Sequence, residues 1–199
     1  AGDPDGPRVG PALADVGLVR DGAVAAADGQ ILAAGPTAEV LDLVRPARRA
    51  RRIDATGRVV LPGFVDPHTH LIFAGSRAEE FERRLRGTSY REIAAAGGGI
   101  LSTVAATRAA DEETLVRLGW ARLDRMLACG TTTAEAKSGY GLTVDDELKQ
   151  LRAVHRVSAR HDVDLVATLL AAHAVPPEFA ADPDAYVALI TDDLLPLVA

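Results

Sequence analysis

Two histidines one residue apart close the run VVLPGFVDPHTH, Val59 to His70, which otherwise reads as a buried strand. Alternate side chains of a strand share a face, so His68 and His70 point the same way, together with Asp66 and Phe64. Two imidazoles one pleat repeat apart can converge on a single cation. Zinc and iron both accept neutral imidazole nitrogen, and water at an open coordination position has its pKa lowered toward about 7, which brings hydroxide within reach at neutral pH. Asp66 is placed to orient a ligand histidine from behind. Two ligands do not close a site, so on these residues alone a hydrogen-bonded pair at a strand end stands as the alternative.

Further along the chain, Arg77 in AGSR has the planar fork that grips a carboxylate through two parallel hydrogen bonds. Tyr140 lies in the Gly-flanked loop KSGYGL, and His173 closes the run DLVATLLAAH with the parity of Leu169 and Ala171. Taken singly, these read as a solvated charge, a packed tyrosine and a structural histidine. Lys137 at a strand end has the chemistry for a carbamate bridge between two metals. Gly97-Gly98-Gly99 lacks the Gly-Lys-Ser/Thr ending of a phosphate loop and reads as a turn. Tyr90 is near enough in the pattern to line a pocket. Cys129 has no base partner in the pattern and reads as packed. His155 and His161 read as solvent-facing or capping.

The elements that must position these residues fall into two groups. Over residues 16–62 short strands and tight turns are expected: Asp28-Gly29 between two small-apolar runs signals a hairpin, and Ala55-Thr56-Gly57 a second turn. Thr37 to Val44 reads as a helix stopped by Pro46. The arginines of RPARRARR, Arg45 to Arg52, then form a solvated connection to a further strand.

From Gly63 the pattern alternates strand and helix. Asp111 caps a helix carrying Val116, Trp120, Leu123 and Leu127, and Gly130 stands at its C-terminal cap. The strand TTTAEA follows, then a helix from the Thr143/Asp146 capping box to about Arg160, with Val144, Leu148 and Leu151 on one face. DLVATLLAAH reads as another buried strand, and Asp182-Pro183 opens a helix that Pro196 ends. This alternation implies parallel strands with crossover helices, in an open sheet or a closed barrel alike.

Composition narrows the function classes. The chain of 199 residues is 48% hydrophobic and 25% charged, enough to bury a core. A net charge of −6, with 28 acidic against 22 basic residues, argues against nucleic acid as a partner. No apolar run reaches the roughly 18 residues of a membrane span, and the first residues do not read as an export signal. The single cysteine excludes an internal disulfide and fits a reducing compartment, so a cytoplasmic location is expected. The chain begins with Ala1 and has one methionine, Met126, so a processed N-terminus or a longer product is expected.

The run DATGRVVLPGFVDPHTH resembles the signature of the amidohydrolase superfamily, in which a small β-sandwich leads into the first strand of a metal-dependent (β/α)8 barrel. HTHLIFAGSRAEEFERRLRGTSYREIAAAGGGILSTVAATR, then EAKSGYGL, then AAHAVP, in this order between Leu61 and Pro176, are similar to the imidazolonepropionase family within it. The fold this resemblance implies is α/β: the N-terminal part of a β-sandwich domain over residues 1–62, then the first part of a TIM-type barrel over 63–199, its C-terminal strands absent. A barrel takes about 250 residues, and those after residue 62 make roughly half of one.

The implied reaction is hydrolysis of the ring amide of 4-imidazolone-5-propanoate to N-formimidoyl-L-glutamate, in histidine degradation. The resemblance gives His68 and His70 to one zinc or iron ion, Arg77 to the substrate carboxylate, and Tyr140 and His173 to substrate contact. It sets a one-metal branch against the Lys137 carbamate. The acid/base carboxylate and the remaining ligands are expected from later strands. The expected partner is this small molecule, with a homodimer as an assembly to consider. Two alternatives stay open: another amidohydrolase such as a ring deaminase, and an incomplete segment with no turnover of its own.

Overall fold

The computed structural model describes residues 8–198, and its contacts separate into two compact units with their boundary between Val60 and Leu61. In the first, β1 (Gly22–Ala27) pairs antiparallel with β2 (Gln30–Pro36). Asp28 (φ 50°) and Gly29 (φ 75°) both take the left-handed conformation, the two-residue turn whose twist matches the flanking strands. Helix α1 (Thr37–Leu43) follows, tied to the hairpin by the Thr37 amide and hydroxyl, which donate to the Asp21 carbonyl at 2.9 and 2.8 Å. The chain leaves it at Val44, two residues before Pro46. The turn at Ala55 closes where the Arg58 amide donates to its carbonyl at 2.9 Å. The strand expected beyond the arginine cluster does not form: Val59 and Val60 are exposed and find no partner strand, and a β-ladder exists only by pairing. The described residues of this unit hold one two-stranded sheet.

In the second unit β3 (Phe64–Thr69), β4 (Thr131–Lys137) and β5 (Asp164–Thr168) form a parallel sheet with β4 in the centre. Parallel neighbours need crossovers. Helices α2 (Ala78–Leu85), α3 (Tyr90–Ala95), α4 (Ile100–Ala109) and α5 (Glu112–Ala128) lie between β3 and β4, and α6 (Val144–Ser158) between β4 and β5. The unit is α/β, with strand and helix alternating as the periodicity requires. β3 has a neighbour on one side only, so Phe64 and Val65, expected in a buried strand, are 54% and 66% exposed.

Helix α5 starts where the Asp111 carboxylate accepts the Thr114 amide at 2.7 Å. It ends at Gly130, whose φ of 94° only glycine adopts without strain. Its innermost face is Leu115, Gly119 and Leu123; of the expected stripe Leu123 lies on that face, while Val116, Trp120 and Leu127 pack on its flank. Gly119 is there because Ile72, fully buried, occupies the space: a Cβ would lie 2.3 Å from Ile72 Cδ1. Helix α6 starts where Thr143 Oγ1 accepts the Asp146 amide at 3.1 Å. Its buried face joins Leu151, Val154 and Val157 to two polar residues, Glu147 and Gln150, both 0% exposed.

Two expectations are corrected. β5 stops at Thr168, and Ala171–His173 is a 3-10 turn, so His173 does not end a strand. The ladder has no partner there, because β4 turns away at Ser138, whose hydroxyl takes the Leu170 amide at 2.9 Å. Pro196 does not end the last helical run either. After α7 (Pro183–Ala188) a widened π turn (Leu189–Leu194) runs directly into α8 (Leu195–Val198), so Pro196 lies inside a continuous helical run.

Filling the Gly119 position tests this packing. Gly119→Val should lower stability by about 2 kcal/mol, since overpacking costs more than the fraction of a kcal/mol that leaving glycine gains in helix propensity. The measurement is the urea midpoint at unchanged slope.

Candidate metal and substrate site

The ends of the three strands gather most of the residues in question. The Thr69 hydroxyl donates to the Glu135 carbonyl at 2.6 Å and anchors the end of β3, and His70 is the next residue. Pairing with β4 is irregular between Asp66 and Thr69, where Pro67 has no N–H to give. Asp66 accepts the backbone amide of His68 at 3.3 Å, so its carboxylate serves the main chain rather than orienting a ring.

His70 is the hub. Its ring centroid lies 4.6 Å from that of His173, 4.9 Å from Tyr140 and 6.2 Å from His68, and Tyr140 and His173 are 5.7 Å apart. His68 is exposed at the rim and His70 half-buried. His70 Nδ1 is buried with no hydrogen-bond partner. Burial, then the neighbouring His173, hold the His70 pKa below its ordinary value; the Ser138 backbone opposes them, while His68 and Lys137 add to them. The ring is thereby biased to the neutral form that binds a cation. Burial raises the Tyr140 phenol, opposed by the Arg77 charge, so the hydroxyl keeps its proton to donate.

Arg77 acts on Tyr140 through its charge but is held next door, at the N-cap of α2, where its Nε donates to Glu80 at 2.7 Å. Glu80 also accepts the Gly99 amide at 3.0 Å and the Ser102 hydroxyl at 3.1 Å. Burial pushes the Glu80 carboxyl up, but these bonds outweigh it and leave its pKa lowered. The bond to Glu80 uses Nε of Arg77 and not its terminal nitrogens. Lys137 is paired with Glu135 at 2.6 Å, and Glu135 accepts the Thr168 hydroxyl at 2.6 Å. Tyr90 lies against Gly99, outside the ring cluster. His161 accepts the Val163 amide at 3.0 Å and sits edge-on to Trp120, and Cys129 is exposed rather than packed. Among the described residues no group of three His, Cys, Asp or Glu side chains is gathered as for an ion.

Apolar periodicity missed Glu147 and Gln150. Glu147 accepts the amides of Gly139, Gly141 and Leu142 at 3.0, 2.8 and 2.8 Å, and Gln150 accepts that of Tyr140 at 3.1 Å while donating to the Ile72 carbonyl at 2.7 Å. The available signal was the glycine-rich loop directly before α6, whose amides need acceptors.

The description "Amidohydrolase family" belongs to the family profile that matches residues 51–124. An imidazolonepropionase of Symbiobacterium thermophilum is 56% identical over 194 residues, covering 98% of this chain and 46% of the relative. Those of Halobacterium salinarum and Shouchella clausii are 54% and 47% identical over 90% and 100% of this chain, and 42% and 45% of their own lengths. The chain is similar to imidazolonepropionases along nearly its whole length. It spans about half the length of these curated relatives. No helix among the described residues is long and apolar enough to cross a membrane.

The lowered His70 pKa sets a pH dependence. The unfolded chain takes up this proton near 6.5 and the folded chain only at lower pH, so the contribution to stability is complete above 6.5 and is lost as pH falls toward the folded value. An NMR titration of the His70 ring should give a midpoint below 6.5; one at or above 6.5 contradicts the environment described.

Proposed function

We propose that this chain supplies the first part of a metal-dependent amidohydrolase that opens the ring amide of 4-imidazolone-5-propanoate, giving N-formimidoyl-L-glutamate. The observation that carries this reading is the convergence of His70, Tyr140 and His173 just beyond the C-terminal ends of three parallel strands, with His68 near the end of β3 beside His70, the end at which barrel enzymes build their sites. The names of the relatives support the substrate. On this reading the three strands open a (β/α)8 barrel, and the hairpin belongs to a β-sandwich.

His68 and His70 are the residues that would hold zinc or iron. The donor set fits: two imidazoles, one kept neutral, with a buried nitrogen lacking any other partner. When bound, such an ion supplies Lewis acidity toward the ring carbonyl. Arg77 binds the propanoate carboxylate through its terminal nitrogens, with Glu80 fixing the plane of the fork. Tyr140 donates its hydroxyl to the substrate, and His173 hydrogen-bonds the ring and lies over His70. The remaining ligands and the carboxylate that delivers a proton to the leaving nitrogen come from the part of the relatives' length that this chain does not span.

The carboxylate clamp separates this substrate from the uncharged ring of a deaminase. In a version extended to the relatives' full length, Arg77→Ala should raise KM for 4-imidazolone-5-propanoate about 10–100-fold, as expected from losing charge-assisted hydrogen bonds of about 1.5–3 kcal/mol. KM for an analogue without the carboxylate should hardly change. Equal effects on both remove the assignment.

A further inference from the structure

The loop carrying Tyr140 is unusual in where its backbone donors go. Four consecutive amides, Gly139 to Leu142, are accepted not by a strand or a helix but by two side chains of α6, Glu147 and Gln150. Both side chains are fully buried. The loop is also strained at Leu142, which has φ 56°, while Gly139 at φ 107° takes a conformation open to glycine. A Cβ on Gly141 would lie 2.5 Å from the Glu147 nitrogen, so the loop is wrapped tightly on the start of the helix. Arg108 holds the opposite polarity, donating to the Gly141 and Leu142 carbonyls at 2.6 and 3.3 Å.

The same loop governs His173. A Cβ on Gly139 would come within 2.8 Å of the Leu170 carbonyl and 2.9 Å of His173 Cβ, so the bare glycine lets the His173 turn lie directly on it. The adjacent Ser138 takes the Leu170 amide, and the Tyr186 hydroxyl donates to Ala171 at 2.8 Å. Through Gln150 the network reaches the Ile72 carbonyl, two residues beyond His70.

We propose that Glu147 is a positioning residue of this site: its buried carboxyl group, by accepting the amides of Gly139, Gly141 and Leu142, sets Tyr140 and the His173 turn against His70. This rests on the proposed function for the meaning of those three rings, but not for the geometry. Glu147 touches neither metal nor substrate. It acts through a strained backbone that relaxes when its acceptor is lost. Glutamine is nearly isosteric but turns one accepting oxygen into an NH2 that faces backbone donors.

The test is ring-proton NMR of the 199-residue chain. Contacts between the Tyr140 ring and the rings of His70 and His173 are expected in the wild type and lost in Glu147→Gln, while contacts among Leu115, Leu123 and Val157 persist. A merely structural role would weaken both sets together. Ring contacts that survive in the folded variant overturn the proposal. Should the variant not fold, native-state amide exchange of the wild type decides. Gly139, Gly141 and Leu142 are expected to exchange as slowly as the α6 core, and exchange more than about tenfold faster, through local opening, overturns it. Titration with zinc chloride of a version extended to the relatives' full length separates the two readings: no uptake of zinc there counts against the proposed function, whereas the ring contacts alone decide Glu147.

Discussion

A polar atom buried without a partner costs about 1–3 kcal/mol, and His70 Nδ1 is such an atom at the hub of four gathered side chains. Protonation does not relieve it, since burial and His173 outweigh the Ser138 backbone and leave the His70 pKa lowered. On the proposed reading a cation is the partner that answers both features, because it needs a neutral nitrogen and satisfies it. The surrounding structure makes sense as the means of holding that nitrogen in place.

The means are distributed over elements distant in sequence. β3 delivers the histidine pair, with Thr69 fastened to the Glu135 carbonyl of β4. Helix α6 then takes both neighbouring loops in hand, Gln150 reaching the Ile72 carbonyl and the Tyr140 amide, Glu147 the amides on either side. Strain at Leu142 is sustained because these bonds over-determine the loop. Tyr140 and His173 are therefore placed by a polar core, while the apolar core of Ile72, Leu115, Leu123 and Val157 fixes the helices behind them.

What the sequence made legible follows from range. Asp28-Gly29, Asp111, Thr143 and Gly130 act on backbone a few residues away, and each does locally what its chemistry requires. The parity of His68 and His70 was read from local alternation, whereas the approach of Tyr140 and His173 was read only through resemblance. The turn at His173 was not legible, because it depends on where β4 stops offering ladder partners. Nor was the burial of Glu147 and Gln150, since a pattern that counts polar residues as exposed assigns them to solvent. The apolar run before β3 read as a strand, but pairing is a tertiary event and no partner came.

The most direct measurement is X-ray absorption on a version of the chain extended to the relatives' full length and loaded with one equivalent of zinc. Two imidazole nitrogens at about 2.0–2.1 Å from the metal, both lost in a His68→Ala, His70→Ala double variant, are the predicted result. A spectrum without imidazole scattering, or one unchanged by that variant, would contradict the account.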